Sequence, residues 1–529
     1  MFKYGRKEQQ ITMDSPIMQL PKSLVESLEK GWAGSFYANV FLSVNEDRFP
    51  PMYSQIYSRP NRPVNILISL LLLKELHGLT DEQLIASLYF DYRFQYALGI
   101  SDIESEGICI NTLTNFRMRL LQYEAKHQED LFEQEMKALS DKLAELVGMN
   151  KSMARMDSFM VSSACKKLSR LELVYRVVTA MIEALHKQDK GLVPEAFQDF
   201  LKEGYRNTLL YHTRSEEAGS KLEHLIDQAS ELYNHVNRLR DFHGTTAYQQ
   251  LTRLLREQCI ETEEGVRIAI EGAKLKPDGL QNPSDSSATY RNKGGKGHIG
   301  YVTNIVEVRD VEKDLGLILD FDVQPNIHSD AAFGEAFVQK SPLAEDIEVL
   351  AVDGAYYREE TVKAAESKNI EMNFSNMTGR KAAVDHIPVT QFEVNDEQII
   401  TACPAGHAPL RSSYNEEKQV YKATFDKGVC QTCPMLSTCP VQQQVKNNTV
   451  RFTETKRQSD ATRIKHGTER HRELSRFRAG VEGMVSAIRR RFDVDNLPVF
   501  GLLRSKMWIS AKIGAFNFSS VFKYQTRMG

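Results

Sequence analysis

Over the first 150 residues, apolar positions recur with the three-and-four spacing of amphipathic helices. In "NRPVNILISLLLLKELHGLTDEQLIASLYFDYRFQYALGI", Pro63 holds a first-turn position and Gly78 breaks the run. Thr80 then precedes "DEQLIASL", with Gln83 at the spacing of a capping box. From Leu113 onward, "NTLTNFRMRLLQYEAKHQEDLFEQEMKAL" keeps the helical period. A helical domain over residues 1–150 is expected.

Near residue 150 the pattern changes. "MARMDSFMVSS" (153–163) has the length and composition of one strand, and roughly 165–280 returns to helix, as in "LELVYRVVTAMIEALHKQ" and "AYQQLTRLLREQCIE". "LKPDGLQNPSDSSATYRNKGGKGHIG" (275–300) clusters Gly, Ser, Pro and Asn and reads as loop, with "KGGKGH" (293–298) its mobile part, expected over the active site. Strands follow in "GYVTNIVEV" (300–308) and "GLILDFDVQ" (316–324), then a helix in "SDAAFGEAFVQKS" and a strand in "IEVLAVD" (347–353). This order predicts a mixed α/β sheet interrupted after its first strand by a large helical excursion. Residues 457–492 read as a long basic helix or a pair of helices, and Trp508 is expected to pack a C-terminal helix on the core.

Composition narrows the class. A chain of 529 residues, 41% hydrophobic and 26% charged, suits a soluble globular protein of roughly two to four domains. The N-terminal "MFKYGRKEQQ" lacks the apolar core of a secretory signal, and the longest apolar run, "ILISLLLL", is far short of the ~20 residues of a membrane span, so a cytoplasmic protein is expected. Net charge is −3, yet from Lys456 to Arg491 eleven Lys/Arg face four Asp/Glu. That asymmetry points to a local anionic partner or to a solvated helix face.

Two carboxylates stand at or near strand ends, Asp157 in "ARMDSFM" and Asp353 in "LAVDGAY". Open sheets present ligands to a crevice there. Hard divalent cations bind oxygen donors, and two ions roughly 3.5–4 Å apart suit phosphodiester cleavage. Capping or a buried hydrogen bond is the plainer role for each. A third acid, Glu482 in "FRAGVEGMVSAIRRR", would share one helix face with Arg478, Val485 and Arg489, an arrangement fit for a metal ligand among phosphate-gripping arginines or for a surface ion-pair face. Gly480 and Gly483 beside it would admit a close approach. Asp322 and Asp330 are rival acids, the latter expected to cap the following helix; His298 and His328 read as loop or hydrogen-bonding residues.

These segments together resemble the DDE transposases of the IS1182 group, within the IS4/IS5-like insertion-sequence enzymes. The likeness runs through "RPVNILISLLLLKELHGLTDEQLI", "MDSFMVSS", "LQNPSDSSATYRNKGGKGHIGYVTNIVE", "NIHSDAAF", "VDGAYY" and "FRAGVEGMVSAIRRRF", in the family's order. It implies an RNase H-like mixed-sheet core (151–395) with a DNA-binding helical domain (1–150), a helical insertion (165–280), a Cys-rich insertion (396–455) and a last core part (456–529) bearing the catalytic Glu helix. It further implies Asp157, Asp353 and Glu482 as catalytic ligands of two Mg²⁺ or Mn²⁺ ions. Arg478, Arg489, Arg490 and Arg491 would contact DNA. In related families a Tyr and an Arg precede the Glu and a Lys follows; here Ser475, Arg478 and Arg489 stand at those positions. The implied partners are terminal inverted repeats and target DNA, engaged by a nucleoid-associated homodimer. Two alternatives remain at this stage: a domesticated DNA-binding protein that no longer cuts, and a nuclease that cuts without joining.

Of seven cysteines, Cys403, Cys430, Cys433 and Cys439 cluster in "CPAGH" and "CQTCPMLSTCP". Four thiolates, with His407 able to replace one, suit structural Zn²⁺. Reduced buried thiols are the plainer reading.

Overall fold

The computed structural model describes residues 2–5, 16–54, 61–100, 107–211, 217–262, 267–375, 386–466 and 468–528. Helices come first: α1 (Lys22–Lys30), α2 (Trp32–Asn39), α3 (Val64–His77), α4 (Asp81–Phe90), α5 (Tyr92–Ala97), α6 (Ile110–His127) and α7 (Leu131–Leu146). α3 ends where Gly78 takes a left-handed conformation, and Thr80 and Gln83 form the expected capping box ahead of α4.

Strand β1 (Met153–Ser162) opens the sheet. Next come α8 (Arg170–Gln188), α9 (Tyr205–Leu210), α10 (Ala218–Val236) and α11 (Thr246–Gln258), whose inward residues build a separate hydrophobic core around Val178, Ile182, Leu225, Leu232 and Leu251. This excursion is not wholly helical. It ends in an antiparallel pair, β2 (Cys259–Glu261) and β3 (Arg267–Ala269), too short to leave a period in the sequence.

The sheet resumes with β4 (Thr289–Lys293), β5 (Lys296–Asp310) and β6 (Leu315–Pro325), then α12 (Asp330–Lys340), β7 (Val349–Asp353), α13 (Glu359–Ser367) and β8 (Glu371–Ser375). Strand order is β4-β5-β1-β7-β8, with β6 also paired to β5. "KGGKGH" is no loose loop: Gly294 and Gly295, both at positive φ, form the two-residue turn of the β4–β5 hairpin. Ser329, rather than Asp330, caps α12 by accepting the Ala332 amide.

The chain divides into two compact units, one of Met1–Leu350, Ala355–Glu371 and Val481–Gly529, the other of Ala351–Gly354 and Met372–Gly480. In the second, β9 (Glu393–Val394) pairs with β10 (Ile400–Ala402), and β11 (Arg411–Asn415), β12 (Val420–Asp426) and β13 (Asn447–Thr453) form an antiparallel sheet. Phe392, Tyr421, Phe425, Val450 and Phe452 form its core. The helices α14 (Lys427–Gln431), α15 (Glu454–His466) and α16 (Glu469–Ala479) belong to the same unit.

In the first unit, α17 (Val481–Phe492) is followed by α18 (Leu502–Met528), a buried 27-residue helix that lies against α3, α7 and β6. A Cβ at Gly514 would come within 2.8 Å of Leu72 and 3.0 Å of Met136, so glycine permits that approach. Asn517, fully buried on α18, accepts the Ile318 amide at 3.0 Å and donates to the Ile318 carbonyl at 2.7 Å. It thereby satisfies backbone groups that an edge strand would leave open. Trp508 packs as expected, between the cations of Lys74 and Arg117, both of which bind Asp81.

Where α6 meets α18, Glu124 is buried 3.4 Å from Lys506. Burial, with a smaller push from Asp130 against the pull of Lys506, raises its carboxyl to about 7. A carboxyl raised on folding stabilises most when protonated, so its contribution is present below about 4.5 and lost as pH climbs through about 7. Melting temperature should therefore decline between pH 5 and 8, and Glu124→Gln should flatten that decline. A wild-type slope in the variant would exclude Glu124 as its source.

Candidate active site and cysteine cavity

β1 and β5 run antiparallel with Asp157 opposite Ile305 and Ser158 opposite Asn304, and β6 continues the rows with Phe321 and Asp322. Side chains alternate between faces along a strand, so Asp157 shares one face with Arg155 and Phe159. Asp322 and Asn304 share the other with Ser158, whose hydroxyl donates to Asp330 at 2.6 Å. The two rival acids are thereby segregated from Asp157. Asp157 is half-buried and accepts the Ser158 amide at 2.9 Å.

α17 covers the Asp157 face. The Arg489 guanidinium lies 5.5 Å from the centre of the Phe159 ring, and a Cβ at Gly316 would meet both Glu307 and the Met484 methyl. Val481, Val485, Ile488 and Phe492 are the buried stripe of α17, leaving Glu482 exposed in its first turn and Arg489, Arg490 and Arg491 exposed in its last. Nothing lies within 4 Å of a Cβ built on Gly483, so the space beside Glu482 is open. Arg489 is also bound to Asp495 at 2.8 Å, and Arg490 donates to the Ser486 carbonyl.

Residues 457–492 differ from a long helix or a helix pair. α15, α16 and α17 are three separate helices, and the amide of Gly480 turns back to the Phe477 carbonyl to end α16. Arg478 and Glu482 therefore lie on different helices and not on one continuous face. Arg478 is buried rather than presented to solvent, and its guanidinium stands 3.4 Å from Asp353. Asp353 ends β7 and precedes a short 3-10 turn, Gly354–Tyr356, so it does not cap α13. His298 sits in strand β5 rather than a loop, and burial lowers its pKa. His328 packs against Phe333 with ring centres 4.4 Å apart.

Two features escaped the sequence reading. Asp285, in "NPSDSS", is a buried carboxylate hub that accepts hydroxyls of Ser163 at 2.5 Å, Tyr301 at 2.6 Å and Ser287 at 3.1 Å. Burial alone would raise its pKa, but these donors hold it below the usual range. The other is the buried pair of Arg155 and Glu307, directly opposite across β1 and β5 at 2.7 Å. A charged residue inside the apolar run "MARMDSFM" was its only signal.

In the second unit, Cys403, His407, Cys430, Cys433 and Cys439 line one cavity of roughly 280 Å³. Burial raises the Cys439 thiol, and the three neighbouring thiols push it further. The donor chemistry suits a thiophilic cation, but among the described residues no group of three or more His, Cys, Asp or Glu is gathered tightly enough to hold a metal ion. No described helix is long and apolar enough to cross a membrane.

Residues 402–522 match the family model described as "Transposase DDE domain", and residues 29–119 match "Transposase domain (DUF772)". No curated protein and no solved structure matches the chain. A mixed α/β sheet preceded by helices, together with a DDE domain, makes the protein a DNA transposase. More specifically, it is an insertion-sequence transposase, and the pairing of its two domains is consistent with the IS1182 type. Of the three acids singled out in the sequence, only Glu482 falls inside the matched segments.

Proposed function

We propose that this transposase cuts the ends of its element and joins them to target DNA, with Asp157, Asp353 and Glu482 as catalytic acids on an RNase H-like core. The observation that carries this reading is the packing of α17, bearing Glu482 and a run of arginines, on the sheet face that holds Asp157. The sheet order, with β6, β5 and β1 antiparallel in sequence and β7 and β8 beyond β1, supports the core assignment. Carboxylate oxygens are the donors that Mg²⁺ or Mn²⁺ prefers, although among the described residues these three acids are not drawn together into an ion site. A divalent pair held there would activate an attacking oxygen and neutralise charge on the scissile phosphate.

The chain's own part is positioning and charge. Arg478 holds the carboxylate of Asp353 and fixes its rotamer at the strand end. Arg489, anchored against Phe159 and Asp495, offers a fixed cation two helical turns from Glu482. Such chemistry depends on orientation and preorganised charge, and asks for no nucleophilic side chain. Arg490 and Arg491, exposed on the same helix, would add sequence-independent phosphate contacts. Two copies acting on paired ends would make the functional assembly a dimer.

The test is a strand-transfer assay on labelled element ends with Mg²⁺. Joined product is expected. Cutting without joining would indicate a nuclease, and binding without cutting a domesticated DNA-binding protein.

For the cysteine cavity we propose structural Zn²⁺ held by Cys403, Cys430, Cys433 and Cys439, whose thiols line one space although they are not drawn together into an ion site in this structure. Purified protein should carry about one zinc per chain by elemental analysis, and chelation should lower its melting temperature. Metal-free protein with unchanged melting would remove the assignment.

A further inference from the structure

The β4–β5 hairpin carries a pairing that weakens it in isolation. Lys293 and Lys296 are direct cross-strand partners on either side of the Gly294–Gly295 turn. Like charges placed opposite one another repel and weaken the pair. Both lysines are exposed, and among the described residues neither has an ion-pair partner. The tip itself is slim: both turn glycines have positive φ and open space around the position of a Cβ. One pair below the tip, a Cβ at Gly297 would come within 2.7 Å of the Tyr290 hydroxyl oxygen, so glycine lets that side chain lie across the strand.

The hairpin is also tied to the C-terminal end of α17. The Ser163 amide donates to the Ile299 carbonyl at its base, and the adjacent Ser162 amide donates to the Asp495 carbonyl. Asp495 is the residue that holds Arg489. One stretch of backbone thus links the lysine-bearing hairpin to the arginine-bearing helix end. The lowered pKa of His298, caused by burial and then by Lys296, Lys293 and Arg489, agrees with a shared positive field.

We propose that the hairpin tip is a second DNA-gripping element, in which Lys293 and Lys296 contact duplex phosphates beside those held by Arg489 and Arg490. The partner is duplex DNA because the tip offers paired cations, no apolar side chain and a glycine turn thin enough to lie along a groove. This rests on the transposase reading only for its choice of partner, and its test needs no cleavage.

Binding of fluorescent duplex DNA of unrelated sequence is measured against salt for wild type and for Lys293→Ala/Lys296→Ala. Each phosphate contact contributes a slope of about 0.9 in log K against log salt, so the double variant should be shallower by about 1.8. Lys293→Arg/Lys296→Arg should keep the wild-type slope, and all three proteins should melt together. A double-alanine slope equal to wild type overturns the hairpin assignment, as does wild-type binding that ignores salt. Failure of the wild type to cut or join element ends would instead overturn the catalytic reading and leave the slope comparison standing.

Discussion

Asp157→Asn, Asp353→Asn and Glu482→Gln should each reduce cleavage of element ends roughly 10³-fold, the scale set by removing one preorganised electrostatic group from an active site, while binding of the same ends stays near wild type. The isosteric amides keep volume and remove charge, so the loss cannot be assigned to a cavity. Glu482 is exposed, and its replacement should leave melting unchanged. Asp353→Asn weakens the partner of a buried guanidinium at Arg478, so some loss of stability should accompany the loss of cutting. The measurement is single-turnover cleavage with Mg²⁺ alongside thermal melting. Any variant that cuts at the wild-type rate does not carry a catalytic acid at that position.

A large effect on stability is expected at a residue with no place in the chemistry. Glu307 is fully buried and paired with Arg155 on the neighbouring strand, itself nearly buried. Glu307→Gln should destabilise the protein by about 3–5 kcal/mol, because removing one member of a buried pair strands the other's charge. The double replacement Arg155→Met/Glu307→Leu should recover most of that loss, since apolar side chains of similar volume need no compensation. Urea denaturation of the three proteins gives the comparison. A single variant as stable as wild type would mean that Arg155 finds water or another acid when Glu307 is neutralised.

The strands of the central sheet were legible because their apolar runs are bounded by polar turns, and β1, β5, β6 and β7 fall within a few residues of the expected stretches. The turn between β4 and β5 was not, although Gly-Gly is a hairpin signal. Its lysines and the preceding Ser, Pro and Asn drowned any strand period. The break at Gly480 was missed for a different reason: the apolar spacing on either side is compatible with one helix, and only the local turn of the Gly480 amide onto Phe477 separates two. That break also moved Arg478 from an expected exposed stripe into contact with Asp353, a partner 125 positions away in sequence. Register is equally hidden. Arg155 announces that something must neutralise it, but the chain does not say that Glu307 lies opposite until the strands are aligned.

The helical excursion between β1 and β4 leaves and rejoins the sheet at one stitched seam: Asn282 donates to the Lys166 carbonyl at 2.8 Å, and Ser163 donates to Asp285. With its two ends fastened side by side and a core of its own, the excursion is topologically a bead on a closed ring. The sheet is indifferent to the bead's length, because lengthening an already closed loop adds little entropy. Related chains could therefore carry beads of very different size, or a short tether, at this point without disturbing the strand that bears Asp157.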